Sequence, residues 1–159
     1  MMRTETTIEW NGDEVKFRAR EATGKSTYEL GLAVESQAKN LTPVASGRLR
    51  GSITTQSATS GTEVGSKAQA GDKITGPSGG LDTYVGTNVE YGPYVEHGLG
   101  PYTLNKPVKI PGVGWRFIKE HPGIDAQPFL RPALDSVLGR AVSIVRKNAK
   151  REFGDYLKQ

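Results

Sequence analysis

The sequence predicts an α+β fold in which a small antiparallel sheet carries two helices on one face. Two segments with a helical apolar period, and short β-branched segments between them, lead to this prediction. The composition of the 159 residues shows no break that would separate two hydrophobic cores. We therefore expect one domain spanning residues 1–159.

The two helices are predicted over residues 26–41 and about 130–152. Ser26 and Glu29 have capping-box spacing, and apolar residues then recur three or four positions apart until Pro43 stops the pattern. The longer, C-terminal helix has an apolar period formed by Leu130, Leu134, Leu138, Ala141, Val145, Ala149 and Phe153.

An amino-terminal β-hairpin is predicted within residues 1–20. Residues 6–10 and 14–18 alternate apolar with polar side chains on either side of an Asn-Gly-Asp sequence at 11–13. Because Asn-Gly is a strong signal for a two-residue hairpin turn, we expect this segment to form an extension of the domain.

The sheet itself is predicted from two segments, residues 52–58 and 81–89. The first contains β-branched and polar residues, and the second has Tyr84-Val85-Gly86-Thr87 at its centre. A short compact segment is expected to follow at residues 91–97.

Two long segments are predicted to lack a packed structure of their own. Residues 59–80 are dominated by Gly, Ser, Lys and Asp, so we expect either a flexible loop or a segment that another chain orders. Residues 98–128 contain many glycines and prolines around the apolar stretch 115–118, which predicts a long connection with one short strand at its middle. Connections of this length are usually functional or ordered by a partner.

Composition argues against several classes of protein. A mean hydropathy of -0.49 and the lack of a long apolar run predict no membrane segment. The first residues have no secretory signal pattern, so we expect folding in a cytoplasm. The chain contains no cysteine, which excludes disulfides and thiolate-bound metals.

The net charge of +4 is concentrated in residues 139–159. The cations that could contact DNA or an acidic partner are Arg146, Lys147, Lys150 and Arg151. A solvated helix face with cations near a helix carboxyl end explains the same pattern. A nucleic-acid-binding accessory protein is therefore the alternative function from a different class.

Catalytic patterns are nearly lacking. His97 and His121 do not have the spacing of a helical zinc site, and the sequence contains neither a Gly-x-Ser-x-Gly elbow nor a phosphate-binding glycine loop. Glu90 and Glu96 are the first candidates for a carboxylate pair of a hydrolase, but surface acids are common in any soluble domain. We expect a protein that is not an enzyme and holds no metal or cofactor.

Three segments together resemble a known family. Residues 42–53 read TPVASGRLRGSI, residues 84–98 contain YVGT and YGPYVEHG, and residues 126–134 read AQPFLRPAL. In their order and spacing they resemble the head-tail joining or tail-completion proteins of long-tailed bacteriophages, which are small neck or minor tail components. The matching positions are Pro43, Gly47, Arg48, Leu49, Ser52, Ile53, Val85, Gly86, Tyr91, Tyr94, Val95, Glu96, Gly98 and the whole third segment.

The resemblance implies a structural protein of the virion. Copies of the chain would form a ring that joins the DNA-filled head to the tail, after assembly in the bacterial host cytoplasm. Implied partners are further copies of the chain, the portal-side connector and the tail terminator or tube, with possible contact to genomic DNA and none to a membrane.

Seven residues are candidates for the subunit interface, namely Arg48, Arg50, Tyr91, Tyr94, Glu96, Trp115 and Phe117. We expect Leu49 to point inward and the flanking arginines outward, after a positive φ at Gly47. The arginines then form either a solvated turn or intersubunit ion pairs. Tyr91 and Tyr94 could share a helical face, for core packing or for ligand stacking.

Overall fold

The computed structural model describes residues 11–104, 106–117 and 120–154. Within these residues the fold is α+β, with four α-helices and three two-stranded antiparallel sheets, which confirms the predicted class. The elements are α1 (Gly12–Leu41), α2 (Arg48–Ser52), β1 (Thr54–Ser57), a 3-10 turn (Ala70–Asp72), β2 (Thr83–Gly86), α3 (Gly92–His97), β3 (Tyr102–Thr103), β4 (Val108–Ile110), β5 (Gly114–Arg116), β6 (Glu120–His121) and α4 (Leu130–Phe153).

Helix α1 begins well before its predicted start at residue 26. The prediction of a hairpin strand at residues 14–18 is therefore wrong, and the other predicted strand, at 6–10, lies outside the described residues. Asp13 and Glu14 place negative charge in the first turn, where the helix dipole favours it. Glu14 also accepts a hydrogen bond of 2.8 Å from Arg18 one turn later, an ion pair that only the helix permits.

Glycine brings α1 close to the central sheet, in which β1 and β2 pair with Thr55 opposite Val85. A Cβ atom at Gly31 would lie 2.7 Å from the Cγ2 methyls of both Thr55 and Thr83. The hydroxyl of Thr55 donates a hydrogen bond of 3.1 Å to the carbonyl oxygen of Gly31. Glycine therefore lowers the helix propensity at this position, but its lack of a side chain allows α1 to contact the sheet directly.

The segment between α1 and β1 follows its prediction in part. Gly47 has a φ of 81°, as predicted, and it precedes helix α2. Residue Ser52, predicted to open the strand, ends this short helix instead, and β1 begins at Thr54. Leu49 is buried and Arg50 exposed, as predicted. Arg48 was also predicted to point outward, but it is half-buried and its guanidinium pairs with the buried carboxylate of Asp72.

One hydrophobic core joins the helices to the start of β1. Helix α4 packs along α1, and α1 contacts both strands of the central sheet. Phe129, immediately before α4, is completely buried. The core cluster consists of Val34, Ala38, Leu49, Ile53, Val89, Phe129, Ala133 and Val137.

Helix α4 has the predicted bounds but buries a different side from the one its apolar period suggests. Ala133, Val137 and Asn148 are its buried residues. Small side chains on this side allow α1 to approach, and Asn148 donates a hydrogen bond of 2.9 Å to Glu29 of α1. The larger residues of the predicted stripe, including Leu134 and Leu138, point to solvent.

The described residues between Leu99 and Ile124 pair as one long antiparallel hairpin, which we call the arm. The prediction of a connection with one short strand was wrong, because four short strands pair across it. Its pairs, from base to tip, are Leu99 with Ile124, Tyr102 with His121, Thr103 with Glu120, Val108 with Arg116, Lys109 with Trp115 and Ile110 with Gly114. The many glycines and prolines accommodate the tip and the interruptions between strands.

Residues 59–80 have little regular structure but make polar contacts within the chain. The amide of Gly65 donates to the carbonyl oxygen of Gly51 at 2.7 Å, and the amide of Thr62 donates to that of Thr55 at 2.8 Å. The Thr62 hydroxyl donates to buried Glu35 at 2.8 Å. Ordering within the chain thus comes from hydrogen bonds and ion pairs, which apolar content alone did not predict.

Candidate interaction surfaces

The tip of the arm exposes two large aromatic side chains. Trp115 and Phe117 are 66% and 65% exposed. They are two residues apart in an extended segment, so they share a side of the hairpin, and Lys109 lies opposite Trp115 on that side. Exposed aromatic pairs of this kind are typical of protein-binding surfaces.

The arm tip is also strongly basic. Residues 106–117 contain Lys106, Lys109 and Arg116 and no acidic residue. The two strands of the tip pack mainly on each other. At the base of the arm, the amide of Leu99 donates to the carbonyl oxygen of Ile124 at 2.9 Å, and the amide of Ile124 donates to that of Leu99 at 2.7 Å. A surface that combines aromatic area with cations suits an acidic or polar protein surface.

Helix α4 exposes several large aliphatic residues on one side. Its four exposed aliphatic residues are Leu134, Leu138, Val142 and Val145, which are 47%, 56%, 63% and 47% exposed. At about 100° per residue they fall within an arc of about 80°. We call these four residues the α4 face. A contiguous apolar patch on one side of a helix marks a contact surface.

Arg48 lies in an ion pair within its own chain. Its guanidinium donates to both carboxylate oxygens of Asp72, at 2.8 and 2.6 Å, and Asp72 is 3% exposed. Arg48 and the amide of Gln69 together hold the pKa of Asp72 below its usual value, against the opposing effect of burial. Neither predicted alternative for Arg48, a solvated turn or an intersubunit pair, describes this contact.

Arg50, Tyr91 and Tyr94 remain exposed. Tyr91 borders an apolar depression of about 250 Å³ between α3 and the segment 43–49. Its lining residues are Pro43, Val44, Ala45, Ser46, Gly47, Leu49, Tyr91 and Val95. Neither tyrosine packs in the core, so the prediction of core packing for Tyr91 and Tyr94 is wrong.

Glu96 caps the last helix. One carboxylate oxygen accepts hydrogen bonds from the amides of Phe129 at 2.7 Å and Leu130 at 2.9 Å, and the other accepts from Arg131 at 3.1 Å. Burial alone would raise the pKa of Glu96, but these three amides and nearby His97 outweigh it and lower the pKa. Its negative charge also opposes the positive end of the α4 dipole.

Glu96→Gln is expected to lower the free energy of unfolding by about 1 kcal/mol at pH 7, because the amide cannot accept the same three bonds. Since the folded-state pKa is depressed, the contribution is present above the unfolded pKa near 4.5 and is lost as the pH falls through the folded pKa. Urea unfolding at pH 7 and at about pH 3 tests this. The exposed neighbour Glu90→Gln is the control, and an equal loss in both variants would contradict the cap.

The basic residues of the C-terminal helix are partly neutralised. Lys147 pairs with Glu29 of α1 at 2.7 Å, and Arg151 lies 3.8 Å from Glu152. Arg146 and Lys150 are exposed. The four cations predicted to contact DNA therefore do not act as one uniform surface.

His121 makes local structural contacts within the arm. His121 stacks on Tyr102 across the arm, with ring centroids 4.8 Å apart, and its Nδ1 accepts a hydrogen bond from Gly123. Within residues 11–104, 106–117 and 120–154, no group of three or more His, Asp or Glu side chains is placed to hold a metal ion. In the same ranges, no helix is long and apolar enough to cross a membrane.

Sequence reasoning missed three parts of these surfaces. Asp72 lay in a segment that seemed too polar to pack, and Lys109 becomes a neighbour of Trp115 only through the hairpin register. The sequence did contain a signal for the α4 face, because α4 has more large apolar residues than one buried side requires.

Comparison with family models, characterised proteins and solved structures finds no match to this chain.

Proposed function

We propose that the chain is a structural subunit of the neck of a tailed bacteriophage, and that its copies form a ring joining head to tail. The single observation that carries the proposal is the arm, a long hairpin whose aromatic, basic tip is exposed in the free subunit. Head-to-tail contacts whose rotation closes generate rings. An arm that reaches the next copy provides a contact of this type.

The segments that resemble the phage family also support the proposal. Leu49 and Ile53 of the first segment, and Phe129 and Ala133 of the third, lie in one core. Glu96 of the second segment caps the helix that the third segment begins. The family-like residues thus form the scaffold from which the arm extends, between the second and third segments.

An arm variant tests the proposal in assembling phage. Trp115→Ala with Phe117→Ala removes the exposed aromatic area, and the fold should persist because both side chains are exposed. We expect at least about a tenfold loss of joined particles, with free heads and free tails accumulating in electron micrographs, if the pair forms an interface hot spot.

Phe17→Ala is the matched control, because Phe17 is also 65% exposed but lies on α1. Circular dichroism of each purified variant establishes that the thermal midpoint is unchanged. Joining of heads to tails at the normal frequency in the arm variant would contradict the proposed role of the arm.

A further inference from the structure

The α4 face is self-complementary when two copies of the helix run antiparallel. If a two-fold axis passes near residue 140, Leu134 lies opposite Val145 of the second copy and Leu138 lies opposite Val142. Each apolar residue of one face thereby meets an apolar residue of the other, over roughly 16 Å of helix.

The charges beside this face match the same register. Asp135 and Arg146 are both exposed, and both lie on the same flank of the α4 face, about 20° apart around the helix. An antiparallel two-fold pairing places the same flank of each helix side by side. Asp135 therefore meets Arg146 of the second copy, and the symmetry produces this ion pair twice.

The other flank is occupied by the chain itself. Ala133, Val137 and Asn148 on that side are buried against α1, so only one approach to the α4 face is open. A parallel pairing about a two-fold axis would put the Asp135 flanks on opposite sides of the interface, where the two charges could not pair. Charge complementarity thus selects the antiparallel arrangement.

We infer that two copies of the free protein pair through the α4 face, antiparallel, with Asp135 of each beside Arg146 of the other. The contact is short compared with a standard interface, so the dimer is weak and depends on protein concentration. The inference goes beyond the proposed function. Subunits of a ring that joins head to tail all point one way along its axis, so the two-fold pair belongs to the protein before assembly.

Cysteine cross-linking tests the register, and the natural lack of cysteine provides a clean background. A mixture of Leu134→Cys and Val145→Cys chains should form a disulfide-linked dimer under mild oxidation, because these positions oppose each other. Leu134→Cys alone should not, because its two copies would be separated by about 18 Å along the helices. A cross-link in Leu134→Cys alone, or none in the mixture, would overturn the inference.

Charge reversal tests the ion pairs by an independent measurement, sedimentation equilibrium at low salt over a range of protein concentrations. Asp135→Arg and Arg146→Asp should each raise the dimer dissociation constant by about fivefold or more, because like charges then face each other. The double variant should return to within about threefold of the natural protein, because the pairs form again in reverse. The pairing would be overturned if the single and double variants had the same dissociation constant. It would also be overturned if the natural protein stayed monomeric at about 1 mM.

Discussion

Replacing Gly31 with alanine is expected to destabilise the protein by about 1 kcal/mol, although alanine favours a helix. Alanine in place of glycine inside a helix contributes about 1 kcal/mol of helix propensity. The new methyl group would lie 2.7 Å from two threonine methyls, well inside normal contact distance, and overpacking of this kind costs typically 1–3 kcal/mol. Thr55 cannot turn away easily, because its hydroxyl is bonded to the Gly31 carbonyl oxygen.

The control for this substitution is Gly24→Ala in the same helix. A Cβ atom at Gly24 would lie 3.7 Å from Leu81, an ordinary contact, so the propensity gain should dominate there. Urea unfolding of both variants gives the two free energies. Stabilisation by Gly31→Ala equal to that by Gly24→Ala would contradict the close contact between α1 and the sheet.

Replacing Arg48 with methionine is expected to release residues 59–80 from the domain. The substitution leaves the carboxylate of Asp72 buried without its guanidinium partner, which is a costly state that opening of the segment relieves. Trypsin should then cleave after Lys67 at least about tenfold faster under native conditions, because cleavage follows the population of the open form.

Acid should have the same effect without a substitution. Because Arg48 holds the pKa of Asp72 low in the folded protein, the ion pair is intact at neutral pH and is lost as the pH falls through that lowered value.

Arg50→Met is the matched control for the proteolysis of the Arg48→Met variant, since Arg50 lies two residues away and is exposed. Equal cleavage rates in both variants would show that Asp72 does not hold the segment.

The parts of the fold that the sequence predicts well are those with long or simple local patterns. Helix α4 repeats its apolar period over many turns, and its predicted bounds agree closely with Leu130–Phe153. Strands β1 and β2 fall within their predicted segments, because β-branched residues favour a partly buried sheet.

The errors arise where a short local pattern competes with contacts made at a distance. Five alternating residues at 14–18 suggested a strand, but ion pairing along α1 and a hydrogen bond from Arg18 to the Glu152 carbonyl favour the helix. The arm was missed because its register depends on pairing between distant residues, as in Tyr102 with His121.

Four of the seven candidate interface residues fall into two groups with different physical roles. Arg48 and Glu96 are used inside the subunit, one to hold a polar segment and the other to cap α4. Trp115 and Phe117 have no such use within the described chain and present their aromatic rings to solvent. Sequence reasoning could not separate the groups, because both consist of polar or aromatic residues beside glycines and prolines.

The proposed function depends most directly on contact between the arm of one copy and a neighbouring copy. Phe117 can be replaced by a photoreactive phenylalanine analogue, and assembled phage particles can then be irradiated and separated by size under denaturing conditions. A ring of copies predicts a ladder of bands at multiples of the 17.2 kDa subunit. A single band at the subunit mass, or cross-links only to a different protein, would contradict it.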